Sequence, residues 1–481
     1  MAKNSSKFRG FGVILSGFIT RVLIVGLYSS LGLFFIEWNE YFSASATKIS
    51  LVGSVFIGIL WSSSLLGSSL SHRLSFRTIT IVGGLIAACS FTITSLLVDS
   101  LDYIIATFVV AGVGLGIAYL SAQAVLLFNF DKHLGKATSL ANCGSGVGMF
   151  IIPLSFRYLL DEFGWRGCLF IAAGIYTNIC VCGALLRPSP SEKHMRKHQK
   201  VMVTIDAENT SFVGLTSDPN DSIFTTIMKS LQGIANSLDI SLFYTNARFV
   251  AYFVVGFLCG MSFPPIFIYL APKAVQDGLT KTEASYLLSF VGLGGTTGRF
   301  ASGVFVDYSP FTLSSIYALS YLISGILALL LPLGNTFAVL ATISVSFGFS
   351  TGVCHCLYIF VAKEFVGLDK SPGAVSWFNA NYAFGSSVSI FLAGYLVDLT
   401  GSYRASLTTA GGFGLLAAMI LFTEPRLQHL YESYCRRRDV VQGGSGFRHE
   451  QIKHNVLHFK QDCKKGQGAD IKAITEMISS V

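Results

Sequence analysis

Three side chains that can bind or carry charge lie inside long apolar runs of the sequence. Arg21 and Arg299 are the two full charges that we place inside such runs, and His355 is the one histidine. A guanidinium offers a carboxylate two parallel hydrogen bonds, and an unperturbed imidazole titrates near neutral pH. These residue types indicate a site that binds an organic anion.

Each of these residues also has a structural interpretation. Arg299 follows the small residues 294–298, which leave room for a ligand; it either contacts a substrate or forms a gating ion pair at the end of its helix. Arg21 either contacts a substrate or bridges helices. His355 is either a hydrogen-bonded packing residue or the carrier of any coupled proton. Tyr28 either adds to an aromatic substrate surface or packs in the bulk.

The composition predicts the elements that must hold these residues. Of 481 residues, 52% are apolar and 12% are charged, with a mean hydropathy of +0.60. Soluble domains carry about 25% charged residues. Twelve spans of about 20 residues would use almost the whole apolar inventory. A disordered chain, a coiled coil, a disulfide scaffold and an ordinary soluble enzyme are therefore excluded, and a polytopic membrane protein is expected.

The apolar runs fall into two groups of six. We expect an all-α protein with twelve transmembrane helices in two six-helix bundles, and a substrate path between them. The predicted parts are an N-terminal tail, a first bundle, a central loop, a second bundle and a C-terminal tail, at residues 1–10, 11–186, 187–248, 249–422 and 423–481.

Two groups of glycines are typical of helix faces in close contact. The first is Gly112, Gly114 and Gly116, and the second is Gly144 with Gly148.

The distribution of charge predicts the orientation. By the positive-inside rule, the basic loops are cytoplasmic. Both termini and the central loop are then cytoplasmic, in a multi-pass protein of the plasma membrane, and the net charge of +8 favours anionic lipid of the bilayer. The basic residues on that side include Lys3, Lys7, Arg73, Lys132, Lys193 and Arg196, and the acids on the other include Glu37, Glu40, Asp99, Asp102, Asp161 and Glu162.

Other classes of site and partner have little support in the sequence. Cysteines two apart, as in Cys180 with Cys182 and Cys354 with Cys356, point about 200° apart on a helix and do not share a metal. We expect no metal, no cofactor and no catalytic grouping of the Ser/His/Asp type. No folded basic domain is predicted, so nucleic acid is not an expected partner.

Several strings resemble the monocarboxylate transporter family (solute carrier family 16), within the major facilitator superfamily. They occur in the family's order and lie at residues 130–133 with 140–148, 163–167, 182–188 and 392–403. The resemblance implies the two-bundle fold, alternating access and a carboxylate-bearing solute. Some members of that family need an ancillary single-span membrane protein, so the resemblance also makes such a protein a candidate partner.

Departures from the family pattern concern proton coupling. The proton-coupled members have a lysine in the first helix, where this sequence has Ser29, and an aspartate one turn before Arg299, where it has Gly295. The resemblance then implies members that carry larger solutes without obligatory proton coupling, with Arg299 as the anion contact. We expect Ser29, His355, Tyr28 and Arg21 to shape specificity, although the best-known members have no basic residue at the position of Arg21. The alternative is a non-transporting solute sensor of the same fold that signals through its loop and tail.

Overall fold

The computed structural model describes residues 2–71, 74–97, 99–130, 134–186, 242–308, 311–367 and 370–441. Most of the predicted central loop and C-terminal tail, with Arg73, Lys132, Lys193 and Arg196, lies outside these ranges. The chain divides into two compact units, Met1–Glu424 and Pro425–Val481. The first unit carries every candidate site residue; in the second, residues 425–441 are described and are helical.

The described residues form helices, with no strand among them. The first half comprises α1 (Ala2–Phe42), α2 (Ala46–Ser71), α3 (Phe76–Leu97), α4 (Leu101–Asn129), α5 (Leu134–Tyr176) and α6 (Asn178–Leu185). A four-residue helix, α7 (Leu242–Thr245), precedes the second half. That half comprises α8 (Ala247–Gln276), α9 (Lys281–Tyr308), α10 (Leu313–Leu330), the 3-10 turn Leu331–Leu333, α11 (Phe337–Val366), α12 (Ser371–Thr400) and α13 (Tyr403–Val441).

The helix α5 contains two membrane crossings. Its apolar stretch continues through α6 as Ala137–Leu185, 49 residues long, which would be about 74 Å if straight, against a hydrocarbon core of about 30 Å. The helix breaks at Gly164, where φ is 62° and ψ is −179°. Only glycine adopts this conformation readily, so the chain turns there and separates the fifth crossing from the sixth.

The remaining crossings complete the predicted twelve. Ten stretches of the described chain are long and apolar enough to span a membrane, counting Ala137–Leu185 once. The break at Gly164 makes eleven. The twelfth is α9, whose glycine, serine and threonine content lowers its hydropathy; it packs between α5 and α11, so protein rather than lipid covers much of it. The twelve-helix prediction is confirmed.

The halves meet through symmetrically placed helices. The second helix of each half packs against the fifth of the other, as α2 with α12 and α9 with the first arm of α5, and α1 packs against α8. In the middle of the interface, Ser54 and Ser387 exchange two hydrogen bonds, each hydroxyl donating to the other residue's carbonyl oxygen, at 2.6 and 3.1 Å. This pairing is the one expected of two related six-helix repeats.

Glycines allow the closest helix contacts, as predicted. In α5, a Cβ at Gly144 or Gly148 would overlap backbone atoms of α1. In α4, Gly112 and Gly116 face the backbone of α2, and Gly114 faces that of α3. Each of these backbones can approach only because no side chain stands between them.

Further contacts join the halves at one end of the molecule, which we call the Glu37 end because α1 ends there. Lys281 of α9 donates to Glu37 and Glu40 of α1, at 3.2 and 2.7 Å. Arg157 of α5 donates to the same Glu37 oxygen at 3.0 Å and also pairs with Asp161. Burial lowers the pKa of Lys281 and hydrogen bonding by Glu40 and Glu37 raises it, with a net rise, so the lysine stays charged at neutral pH.

The start of α2 is capped by a residue of the other half. The two carboxylate oxygens of Asp398, near the end of α12, accept from the backbone N–H groups of Ala46 and Thr47, each at 2.8 Å. The Ser45 hydroxyl oxygen accepts from the next backbone N–H, that of Lys48. The carboxylate thus satisfies two orphan donors and lies at the positive end of the helix dipole.

Two buried cations correct the expectation that Arg21 and Arg299 are the full charges inside the spans. Arg157 is 4% exposed within α5, and Lys273 is fully buried within α8. Both have partners: Arg157 pairs with Glu37 and Asp161, and Lys273 pairs with Asp277 and donates to the carbonyl of Gly334. Their charges are neutralised within the protein, which distinguishes them from the two arginines predicted to bind an anion.

Gly148→Ala should destabilise the protein because its Cβ would overlap the Val22 carbonyl oxygen in α1, which cannot move without shifting a helix. Overpacking of this kind costs about 1–3 kcal/mol. The measurement is the thermal unfolding midpoint in detergent. The matched control is Gly174→Ala, also in α5, where a Cβ has nothing within 4 Å; equal midpoints for the two variants would contradict the packing described.

Asp398→Ala should expose the start of α2. Losing a capping acceptor costs about 1–2 kcal/mol, so the amides of Ala46 and Thr47 should exchange hydrogen about tenfold faster, as measured by hydrogen–deuterium exchange mass spectrometry. Asp102→Ala, which removes the partner of an exposed ion pair with Lys48, is the control. Unchanged exchange at α2 in the Asp398 variant would show that the cap does not hold the helix.

Candidate functional site

A cavity of about 80 Å³ lies between the two halves. It has room for several water molecules. Both halves contribute side chains, and among the described lining residues Arg299 is the one full charge and none is an acid. The lining comprises Val25, Tyr28, Trp61, Tyr119, Gln123, Asn142, Ser145, Met149, Cys259, Phe267, Arg299, Tyr317, Tyr321, Thr351, Cys354, His355, Tyr358, Ile359, Phe378, Asn379 and Tyr382.

Close packing of α9 positions Arg299. Gly294 and Gly298 lie against the backbone of α11, and Gly292 lies against the backbone of α5 around Met149. With α9 held on both sides, the side chain one turn beyond Gly295 reaches the cavity. The glycines before Arg299 are therefore required for the close contact of α9 with α5 and α11, in addition to leaving space for a ligand.

The Arg299 guanidinium has no counter-ion among the described residues. The residue is 7% exposed, and its Nη1 has no hydrogen-bond partner. The gating ion pair, which was the structural alternative, is absent from the described part of the chain in this conformation. A buried cation without a partner is costly, and a bound anion would remove that cost.

Gly295 leaves open the position next to the guanidinium. A Cβ on this residue would lie 2.7 Å from Arg299 Nη1. A carboxylate at position 295 would consequently lie beside the guanidinium. Its absence keeps Arg299 available to a ligand.

His355 lines the same cavity from α11. Its Nδ1 donates to the carbonyl oxygen of Thr351 at 2.9 Å, which leaves Nε2 as the acceptor nitrogen of the neutral ring. The ring lies 5.5 Å from that of Phe263 and 6.5 Å from that of Tyr382, between centroids. The imidazole is thus oriented by its own helix and by aromatic neighbours, with one nitrogen able to accept a proton or a hydrogen bond.

Tyr28 lines the cavity, whereas its neighbour Ser29 is not among the lining residues. The Tyr28 ring lies 5.1 Å from that of Phe267, and its hydroxyl lies near that of Tyr382 without meeting hydrogen-bond geometry. Ser29 is fully buried, and its hydroxyl donates to the carbonyl of Gly26 at 2.9 Å. A role for Ser29 in binding stays a prediction.

Arg21 is fully buried in α1, behind the cavity lining. Its Nη1 donates to the carbonyl oxygen of Gly17 at 3.1 Å, and its Cζ lies 5.3 Å from the centre of the Tyr119 ring, a residue that does line the cavity. The contact with Tyr119 joins α1 to α4 by a cation–π interaction. The structure brings Tyr28, Arg299 and His355 together and places Arg21 at the edge of the group.

Sequence reasoning missed much of the aromatic lining. Trp61 stacks edge-on with Tyr119 and with Tyr382, at centroid distances of 5.2 and 5.7 Å, and so connects the two halves. The hydroxyls of Tyr317 and Tyr321 form a hydrogen bond with each other, at 3.2 Å between the two oxygens. With 40 Phe and 19 Tyr in the chain, no sequence signal separates these residues from lipid-facing or core aromatics.

The profile of the Major Facilitator Superfamily matches residues 13–388. Among curated proteins, Monocarboxylate transporter 12 of Mus musculus is 28% identical, covering 86% of this chain and 84% of its own. Monocarboxylate transporter 13 of Rattus norvegicus is 26% identical over 86% and 89% of the two chains. The similarity is continuous over both halves.

Solved structures agree on the fold. A POT family transporter in complex with a thioalcohol-conjugated peptide superposes with a TM-score of 0.66 at 14% identity, over 87% of this chain and 96% of its own. A nucleoside transporter superposes with a TM-score of 0.64 at 13% identity, over 86% and 99%. The curated relatives are transporters and not enzymes, and they favour transport over the sensor alternative. The chain is a multi-pass membrane transporter and belongs to the Major Facilitator Superfamily, with monocarboxylate transporters as its relatives.

Proposed function

We propose that the protein carries a small organic solute bearing a carboxylate, and that Arg299 binds the carboxylate. The observation that carries the proposal is a buried guanidinium without a counter-ion, at a cavity whose described lining holds no acid. A carboxylate supplies both the missing charge and the acceptors for two parallel hydrogen bonds. The names of the curated relatives, monocarboxylate transporters, support the same class of solute.

Transport would proceed by alternating access. The cavity lies at the interface of the halves, so rocking them exposes it to one side and then to the other. The contacts of Lys281 and Asp398 at the Glu37 end close that side in this conformation. The partly exposed ion pair of Lys281 with Glu40 is worth about 0–1 kcal/mol. Losing the Asp398 cap costs about 1–2 kcal/mol, so both contacts can break and re-form during a cycle.

The proposal includes the orientation of the protein in the membrane and the membrane in which it lies. The sequence has its excess of basic residues in the loops at the other end, so the positive-inside rule makes the Glu37 end the extracellular one, with both termini cytoplasmic. The conformation described is then closed to the outside. We place the protein in the plasma membrane, where an ancillary single-span protein would assist its delivery as in some members of the family it resembles.

Obligatory proton coupling is not part of the proposal. The two positions that carry the coupling pair in the family are Ser29 and Gly295, neither of which titrates. His355 is the one histidine of the described lining, and its Nε2 is an acceptor nitrogen. Any residual dependence of transport on pH would pass through this ring.

Arg299→Gln should lower carboxylate uptake at least about a hundredfold while the protein still reaches the membrane. Two charge-assisted hydrogen bonds, each worth about 1.5–3 kcal/mol, are lost. Counterflow of labelled carboxylates into proteoliposomes measures the effect. Arg404→Gln, which alters an exposed arginine at the Glu37 end, is the matched control; undiminished counterflow in the Arg299 variant would remove this residue from the site.

Gly295→Asp should convert the site into one that responds to pH. The new carboxylate lies beside Arg299 Nη1 and competes with the solute, so uptake at pH 7.5 should fall about tenfold, a change of ~1.4 kcal/mol. Acidification protonates the aspartate and frees Arg299, so uptake relative to that of the unaltered protein at the same pH should rise as the pH falls.

Gly295→Ala is the control for volume in that experiment. Its Cβ meets only the far end of the flexible Arg299 side chain, and uptake should stay within about threefold of the unaltered protein, a change of ~0.7 kcal/mol. A Gly295→Asp variant with normal uptake and no dependence on pH would show that position 295 does not control the guanidinium.

A further inference from the structure

A second buried guanidinium without a counter-ion lies next to the cavity. Arg21 is fully buried, and its Nε and Nη2 have no hydrogen-bond partner. Within the described part of the chain, its one hydrogen bond runs from Nη1 to the carbonyl oxygen of Gly17 in its own helix. Arg157 and Lys273, the other deeply buried cations of the described region, both have carboxylate partners, so Arg21 and Arg299 are set apart from them.

The two unpaired guanidiniums converge on the same part of the cavity. Arg21 lies over the ring of Tyr119, with its Cζ 5.3 Å from the ring centre. Tyr119 and Arg299 line the same cavity, so one aromatic ring separates the second guanidinium from the space that the first one faces.

The described surroundings do not neutralise this pair of charges. The cavity lining contains no acid, and the acids that face the protein interior elsewhere are already engaged, Glu37 with Arg157 and Lys281, and Glu424 with Arg248. Two like charges in a low-dielectric site also repel each other. A solute with one carboxylate would relieve one guanidinium and leave the other unpaired.

The geometry points to a solute with two anionic groups, one bound by Arg299 and the other by Arg21. This inference rests on the proposed function and narrows its substrate class. Tyr119 stands between the cavity and Arg21, so a rotation of this ring opens the second guanidinium to the solute. Gln123 and Asn142, in the same lining, offer amide donors to the remaining oxygens.

The test compares dicarboxylates with their monoamides, which match them in size and lack one charge. The probes are succinate with succinamate, adipate with its monoamide, and terephthalate with its monoamide, the last pair chosen for the aromatic lining. Counterflow into proteoliposomes should be at least tenfold faster for at least one dicarboxylate than for its monoamide. Equal rates within every pair would overturn the inference.

Substitutions then assign the preference to Arg21. Arg21→Gln should lower exchange of the preferred dicarboxylate at least tenfold and that of its monoamide less than threefold, whereas Arg299→Gln should lower both. Arg21→Lys, which keeps the charge, should retain at least a threefold preference. An Arg21→Gln variant that keeps the full preference, or loses both probes equally, would remove the second anionic group from this site.

A measurement on the unaltered protein guards against a failure of the variants to fold. At equal concentration, the preferred dicarboxylate should raise the melting temperature in detergent more than its monoamide does; equal shifts would contradict the inference. Exchange of monocarboxylates without preference for dianions would overturn this inference alone. Exchange of no carboxylate at all would overturn the proposed function and this inference together.

Discussion

A cation buried inside a membrane protein must find negative charge, and this constraint organises the molecule. Arg157 satisfies it with Glu37 of α1, which joins α5 to α1, and Lys273 satisfies it with Asp277, one turn along its own helix. Arg21 and Arg299 do not satisfy it within the described residues. The protein therefore has two kinds of buried cation, those paired within the structure and those without a counter-ion. The free-energy cost of burying an unpaired cation is what makes the site selective for anions.

The same separation gives the fold its working parts. Glycine-backed contacts hold α9 against α11 within the second half, which keeps Arg299 in place while the halves move. Among the contacts between the halves, the polar ones of Lys281 and Asp398 lie at one end of the interface. A rigid binding group between two hinged bundles is an economical arrangement for a carrier, because the solute's site can persist while its access changes.

How much of the site the sequence predicts depends on how rare each residue type is in the apolar runs. Charges are scarce in the apolar runs, so Arg299 and His355 could be identified, and the six-plus-six pattern of runs predicted the fold. The aromatic lining could not be predicted, since tyrosine and phenylalanine occur throughout the chain. Arg157 was missed although Asp161 follows it by one helical turn, a spacing that indicates an ion pair. Ser29 was chosen by resemblance; its hydroxyl donates to the carbonyl oxygen of Gly26 in its own helix, and its role in binding stays a prediction.

The cap on α2 has a consequence for biosynthesis. Asp398 follows Ala46 by 352 residues, so the ribosome makes nine further crossings before the acceptor for that helix exists. During this interval the start of α2 depends on water at the membrane surface for its hydrogen bonds. Insertion of α12 replaces that water with a carboxylate, so the eleventh crossing completes the start of the second. This part of the interface between the halves is thus assembled only after most of the crossings have been made.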